Sequence, residues 1–229
     1  MSWEVVLDGD QDEVRYLDQH ANHVDLISIE PGVTGFPACR GEVETRRHSR
    51  RADFRPADPA ALALPAVHAT DRAGEGDQGV VADLGKDPDP SLETLHELMA
   101  LVADRVVYDK EPTGPATTAE EAVTLGHGVC QDHAHVFLSA ARLMGFPARY
   151  ASGYMMMLDR VDQEAGHAWA EAFVDGLGWV GFDAANRLCP DERYIRVATG
   201  LDYREAGPLT GVMYGGGRDS LSVTVQVQQ

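Results

Sequence analysis

Cysteine is scarce in this sequence, and the few cysteines present are isolated. The three cysteines, Cys39, Cys130 and Cys189, are far apart and form no CxxC pair. An odd number of unpaired cysteines argues against a disulfide framework and is typical of a reducing compartment. The same pattern allows one of the three to be a reactive thiol.

Long apolar runs are also missing. No stretch approaches the roughly 18 consecutive apolar residues that a membrane span requires. The N-terminus, Met1–Glu4, has no basic flank and no apolar run of signal-peptide length. We therefore expect a cytoplasmic protein without a membrane partner.

Positive charge is in short supply. The chain has 19 Lys and Arg residues against 37 Asp and Glu residues, which gives a formal net charge of -18. Such a surface repels phosphate backbones and anionic membranes, so we expect no nucleic-acid partner. Hydrophobic residues make up 44% of the 229 positions, which is enough for one large domain with a core of its own.

Local patterns divide the chain into three parts. Residues 1–46 alternate in the manner of short strands and predict a partial β segment. Residues 47–90 are rich in Ala, Pro, Asp and Gly, which predicts a connector with at most a short helix near Ala60–Leu64. A structureless loop of that length is uncommon inside a domain, so we place the boundary there and expect a second domain at 91–229.

The second domain begins with helices and continues with strands. Ser91 opens a helix to about Val106, and Thr118 with Glu121 fits a capping box for a helix to about Leu125. Alternating patterns follow at Ala148–Met156, Gly166–Val174, Gly178–Phe182, Tyr194–Ala198 and Leu221–Val227. This order predicts an α+β fold with an antiparallel sheet.

Cys130 occupies a position that suits a nucleophile. It follows a turn at Gly126–Val129 and begins an apolar helical pattern, which Gly145 and Pro147 end. A thiol attacks carbonyl groups as the thiolate. The aligned dipoles and unbonded N–H groups of a helix start favour an anion, and they can also stabilise an oxyanion.

A base and an orienting carboxylate are available on two predicted strands. His167 lies within an alternating strand, and Asp183 ends the next one. A turn at Asp175–Gly176 would make these strands an antiparallel hairpin and bring Asp183 beside His167. Because a thiolate needs a basic partner, and that partner a group to hold its tautomer, we predict a catalytic set of Cys130, His167 and Asp183.

Other interpretations of these residues stay open. A single cysteine is commonly a small buried apolar residue. A zinc site is another alternative, since His127, Cys130, His133 and His135 lie within nine residues and are possible zinc ligands. On a helix, however, His135 points away from Cys130. We therefore predict neither a metal nor another cofactor.

Four motifs point to a family. They are GVCQD at Gly128–Asp132, RYASGY at Arg149–Tyr154, HAWAE at His167–Glu171 and GWVGFD at Gly178–Asp183. In this order and spacing they resemble the transglutaminase-like superfamily, in particular its bacterial cysteine protease branch with an N-terminal β domain. The resemblance covers roughly residues 90 to 229, with weaker traces in residues 12–46.

The resemblance implies a papain-like core in which the nucleophile-bearing helix packs on the sheet, so that 91–229 is the catalytic domain. It makes Cys130 the nucleophile, His167 the general base and acid, and Asp183 the orienting group. Tyr154 and Trp169 match positions near the cleft, as substrate-binding or as packing residues. The chain departs from the family pattern at His133, where an aromatic residue is frequent, and at Ala184–Ala185, where Pro-Thr is frequent.

The implied activity is acyl transfer on amide or peptide bonds through a thioester, and we expect hydrolysis by a protease or amidase. The substrate would be a protein or peptide. Two alternatives remain: a protein-glutamine transamidase, which uses the same triad, and a non-catalytic binding or scaffold module. The sequence does not indicate an oligomeric state.

Overall fold

A computed structural model describes residues 2–6, 13–28, 38–45, 75–83, 91–109, 113–114, 116–157, 162–163, 166–211 and 225–226. The chain divides into two compact units, Met1–Arg47 and His48–Gln229. Within the described residues, none of the helices combines the length and the apolar character that crossing a bilayer requires.

The N-terminal unit consists of paired strands. Strand β1 (Ser2–Val6) pairs antiparallel with β4 (Ala38–Glu42), and β2 (Glu13–Leu17) pairs antiparallel with β3 (His23–Ile27). Asp18 stabilises the turn between β2 and β3, because its carboxylate accepts hydrogen bonds from the backbone N–H groups of His20 and Asn22, both at 2.8 Å. The small N-terminal β segment expected from the sequence is thus present.

The second unit contains five helices among its described residues. They are α1 (Glu75–Asp83), α2 (Leu92–Arg105), α3 (Ala119–Leu125), α4 (Cys130–Leu143) and α5 (Tyr203–Ala206). The predicted starts of α2 and α3 are confirmed. Ser91 accepts a hydrogen bond from the N–H of Thr94, and Thr118 and Glu121 form the expected capping box.

A four-stranded antiparallel sheet forms the other layer. Its strands are β7 (Ala148–Met155), β9 (His167–Val174), β10 (Gly178–Phe182) and β11 (Tyr194–Gly200), in the spatial order β10-β9-β7-β11. Two short pairs accompany it: β5 (Val107–Tyr108) lies parallel to β6 (His127–Gly128), and β8 (Asp162–Gln163) lies antiparallel to β12 (Val225–Gln226). The rest of the predicted strand Leu221–Val227 lies outside the described residues.

Helix α4 lies at the centre of the core. Residues 132–142 of this helix are all buried. The apolar residues among them share one hydrophobic cluster with the alanines of β9, Ala168, Ala170 and Ala172. Since alanine projects only a methyl group, helix and strand can approach closely there. The predicted α+β class, with the Cys130 helix packed on an antiparallel sheet, is confirmed.

Helix α1 differs from the expectation for its segment. It lies within residues 47–90, which we expected to be a connector, and its Val80 is fully buried in the core cluster. The segment is rich in Gly and Asp, so its composition concealed one turn of apolar residues around Val80 and Val81. The short helix expected near Ala60–Leu64 lies outside the described residues.

Candidate active site

Cys130 is the first residue of α4, and the residues around it hold the helix start in place. Val129 precedes the helix in an extended conformation. The Asp132 carboxylate accepts two hydrogen bonds through Oδ2, from the Val129 N–H and from the Thr113 hydroxyl, both at 2.7 Å. A Cβ atom at Gly128 would lie 2.6 Å from that same oxygen, so the position before Val129 requires glycine. The Cys130 side chain remains half-buried.

His167 is the first residue of β9 and connects the other two predicted catalytic residues. Its Nε2 lies 2.6 Å from Asp183 Oδ2, and the same imidazole interacts electrostatically with Cys130. Burial opposes a charge on this imidazole, but the hydrogen bond to Asp183 and the interactions with the charges of both partners raise the pKa of His167 to about 10. The ring is therefore an imidazolium at neutral pH.

Asp183 follows β10 directly and is buried. Its Oδ2 also accepts hydrogen bonds from the Tyr194 hydroxyl, at 2.6 Å, and from the Asn186 side-chain amide, at 2.8 Å. Burial raises the pKa of this carboxyl, yet the hydrogen bonds and the charge of His167 outweigh burial and lower it below the ordinary value. Asp183 is thus a carboxylate that can orient and stabilise the imidazolium.

Asn186 and Tyr194 belong to the site, although the sequence did not predict a role for either. Asn186 also donates its backbone N–H to Asp183 Oδ1, at 3.2 Å, which fixes the carboxylate plane. The sequence signal for Asn186 was the motif Asp-Ala-Ala-Asn. Its amide lies three residues after Asp183 and is therefore close enough to contact that carboxylate. Tyr194 lies on another strand, and no local pattern connects it with Asp183.

Trp169 and Tyr154, the predicted substrate-binding residues, have different environments. Trp169 is buried and packs edge-to-face on Tyr194, with ring centroids 5.4 Å apart, and its ring also stacks with the His167 ring at 6.2 Å. These contacts favour packing as its role. Tyr154 is partly buried and lies opposite Ile195 in the β7–β11 ladder, and a substrate contact there stays a prediction.

Glu171, which continues the His167 motif, is buried and takes part in an ion-pair network. Its carboxylate lies 2.7 Å from the Arg149 guanidinium and 3.0 Å from that of Arg196. The Arg149 guanidinium also stacks over the Trp179 ring, 4.1 Å from its centroid. Every charge of the network has a partner, so the network links β7, β9 and β11 structurally.

Two of the three histidines of the alternative zinc site, His133 and His135, have other partners. His133 is buried, and its ring nitrogens lie 2.8 Å from the Val129 carbonyl oxygen and 2.7 Å from that of Val106. His135 is buried as well, and its Nε2 accepts a hydrogen bond from the Tyr203 N–H at 3.4 Å. Within the described part of the chain, no three His, Cys, Asp or Glu side chains are arranged to hold a metal ion.

Comparisons with known proteins agree with this geometry. Residues 78–184 match the family model of the transglutaminase-like superfamily. The chain is 36% identical over 125 residues to an uncharacterized protein of Mycobacterium leprae, covering 52% of this chain and 44% of the relative. It is 32% identical over 149 residues to one of Mycobacterium tuberculosis, covering 60% and 48%. The chain thus spans about half the length of the curated relatives that it matches.

A solved structure shares the fold. A protein from Cytophaga hutchinsonii that has been proposed to be a cysteine protease superposes with a TM-score of 0.68 at 21% sequence identity, over 100% of this chain and 80% of that one. The match extends over both units, and at this identity it concerns the fold alone. Cys130, His167 and Asp183 all lie within residues 78–184, the part of the chain that matches the family model of the transglutaminase-like superfamily.

Proposed function

We propose that this protein is a cysteine hydrolase that cleaves amide or peptide bonds through a thioester on Cys130. One observation carries the proposal: a single imidazole, His167, is hydrogen-bonded to a buried carboxylate and interacts electrostatically with a thiol at a helix start. A nucleophile, a base and an orienting group in this arrangement are what covalent acyl transfer requires. The substrate of this reaction is a protein or a peptide.

The proposed reaction has two halves. The Cys130 thiolate adds to the amide carbonyl carbon, and the carbonyl π electrons move to oxygen. When the C=O bond re-forms, the C–N bond breaks, His167 gives its proton to the departing amine, and a thioester remains. His167, now neutral, takes a proton from water as the water attacks the thioester, which releases the acid and restores the thiolate–imidazolium pair.

A labelling experiment separates this proposal from a non-catalytic scaffold. Because His167 carries a proton at neutral pH and interacts with the Cys130 thiol, we expect Cys130 to react with iodoacetamide faster than an ordinary thiol does. Cys189 is the internal control, since burial raises the pKa of its thiol. Peptide mass spectrometry should find Cys130 alkylated at least about tenfold faster than Cys189 in the wild-type protein.

The matched variant for that experiment is His167→Ala, which removes the imidazolium. It should reduce the rate at Cys130 to that of an ordinary thiol while leaving Cys189 unchanged. Equal rates at Cys130 and Cys189 in the wild-type protein would favour the scaffold interpretation. If an added primary amine intercepts the thioester faster than water does, the activity is transamidation.

The pH dependence of amide cleavage should have a descending limb near pH 10. The pKa of His167 is raised to about 10, so the imidazolium predominates below that pH and is lost as pH rises through it. Amide cleavage needs this proton for the leaving amine, whereas a p-nitrophenyl ester has a leaving group that departs without one. To test this requirement for the His167 proton, we would measure the rates of cleavage of two substrates from neutral pH to about pH 11. The substrates are a p-nitroanilide and a p-nitrophenyl ester with the same acyl group. If the cleavage rates of the anilide and the ester fell equally as the pH rose through about 10, the assignment of His167 as the general acid would be contradicted.

A further inference from the structure

The hydrogen bonds to the Asp183 carboxylate are distributed unevenly over its two oxygen atoms. Oδ2 lies 2.6 Å from His167 Nε2 and 2.6 Å from the Tyr194 hydroxyl oxygen. The side-chain amide of Asn186 also donates to Oδ2, at 2.8 Å, whereas its backbone N–H donates to Oδ1 at 3.2 Å. A carboxylate oxygen has two lone pairs, so three donors on Oδ2 must share them. The hydrogen bond from the imidazole is therefore made in competition with two others.

Tyr194 is held so that its hydroxyl points at this oxygen. It is the first residue of β11 and is buried. Its ring packs edge-to-face on Trp169, with centroids 5.4 Å apart, and lies 5.7 Å from the His167 ring. Burial of the phenol, together with the charge and the hydrogen bond of Asp183, raises the pKa of Tyr194 above its ordinary value. The hydroxyl therefore keeps its proton and acts as a neutral donor.

Titratable groups face the carboxylate and the imidazole from several elements. Cys130, at the start of α4, interacts with the imidazole, and Tyr108 of β5 interacts with the charge of the carboxylate. Asp191 and Arg193, just before β11, form an ion pair with a separation of 2.7 Å and shift the pKa of the Tyr194 hydroxyl in opposite directions. Tyr194 is the group of β11 that donates directly to the carboxylate.

We propose that Tyr194 is a positioning residue whose hydroxyl competes with His167 for Oδ2 of Asp183 and so keeps the imidazolium acidic enough to protonate the leaving amine. The inference rests on the acyl-transfer function proposed above. The proton that reaches the amine leaves from Nδ1, the ring nitrogen that does not face Asp183, and Tyr194 transfers no proton. Without the hydroxyl, the carboxylate would stabilise the imidazolium more strongly, and the ring would release its proton more slowly.

A hydroxyl that merely anchored the carboxylate would have the opposite effect on the imidazole. Its loss would let Asp183 move away from His167, and the pKa of His167 would fall below about 10. Asn186, however, donates to both carboxylate oxygens and holds Asp183 in place independently of Tyr194. Competition therefore predicts that the pKa of His167 rises above about 10 when the hydroxyl is removed. The sign of the change decides between the two roles.

An NMR titration measures this sign without any substrate. Tyr194→Phe keeps the ring and removes the hydroxyl, and the His167 Cε1–H resonance, assigned by its absence in His167→Ala, reports the pKa. We expect a higher pKa of His167 than in the wild-type protein. Replacement of Tyr194 by 3-fluorotyrosine, whose hydroxyl is a stronger donor, should lower that pKa. The control is Tyr203→Phe on α5, whose ring packs on Tyr150, and it should change nothing. An unchanged or lower pKa in Tyr194→Phe would overturn the proposal.

The same substitution should slow amide cleavage more than ester cleavage. In Tyr194→Phe we expect the rate for the p-nitroanilide to fall about tenfold relative to that for the p-nitrophenyl ester at neutral pH, because only the anilide needs a proton on its leaving group. Equal losses for both substrates would contradict a role of Tyr194 in the acidity of His167. A wild-type protein that cleaved neither substrate would refute the proposed function, and the NMR titration would still decide whether Tyr194 competes for Oδ2.

Discussion

Replacing Cys130 with alanine should abolish acyl transfer and leave the stability of the fold almost unchanged. The sulfur is the only atom of this site that forms a bond to the substrate in the proposed reaction, and loss of a nucleophile lowers kcat by about 10⁴-fold or more. Alanine is a good residue for the first turn of α4, and the Asp132 hydrogen bonds to Val129 and Thr113 do not involve the thiol. The free energy of unfolding should therefore change by less than about 1 kcal/mol.

Two measurements check this result together: the rate of p-nitrophenolate release, and urea denaturation followed by circular dichroism. The control is Cys189→Ala, which removes a free thiol outside the proposed catalytic set. It should retain the wild-type rate. A Cys130→Ala protein that still turned over the ester at the wild-type rate would refute the assignment of Cys130, whereas a protein that unfolded would show that the thiol has a structural role.

Replacing Asp183 with asparagine should lower kcat by about 10⁴-fold while some activity remains. Asp183 Oδ2 is an acceptor for three donors, from His167, Tyr194 and Asn186. An amide at this position offers one acceptor and one donor group, so it cannot serve all three with the same geometry. The tautomer of His167 is then no longer enforced, and the carboxylate charge that helps to raise its pKa is gone.

A pH profile separates this electrostatic role from a merely structural one. In Asp183→Asn, the pKa of His167 should fall below the wild-type value of about 10, and the alkaline limb of amide cleavage should move to lower pH with it. The control is Asp175→Asn, an exposed substitution in the turn at the far end of the same hairpin. An Asp183→Asn protein with an unshifted alkaline limb would argue against charge stabilisation of the imidazolium by Asp183.

The hairpin that carries His167 and Asp183 shows how far local sequence reasoning reaches. Two alternating segments around Asp175–Gly176 predict an antiparallel pair, and the structure pairs Phe182 with Ala170 in the expected register. That register brings Asp183 to His167 because strand pairing about a short turn leaves little freedom. The helix starts at Ser91 and Thr118 were predictable for the same reason, since capping depends on neighbours three residues away.

Contacts between distant segments could not be predicted in this way. Tyr194 reaches Asp183 across the sheet, and Tyr108 reaches the Cys130 turn through a parallel pair of only two residues per strand. Two-residue strands have no periodicity to detect, and the side-chain partners of β11 depend on a register shift between Arg196 and Ala198. Helix α1 is a similar case, because its burial depends on elements that follow it in the chain.

The layer of alanine side chains between α4 and β9 limits which substitutions the core can accept. Cys130 is the first residue of that helix and His167 is the first residue of that strand, so the thickness of the alanine layer sets the spacing between sulfur and imidazole. Any larger side chain at Ala168, Ala170 or Ala172 would push helix α4 away from strand β9 and so separate Cys130 from His167. The three alanines thus fix the distance between the nucleophile and its base. We expect substitutions there to be tolerated less well than is usual for alanine.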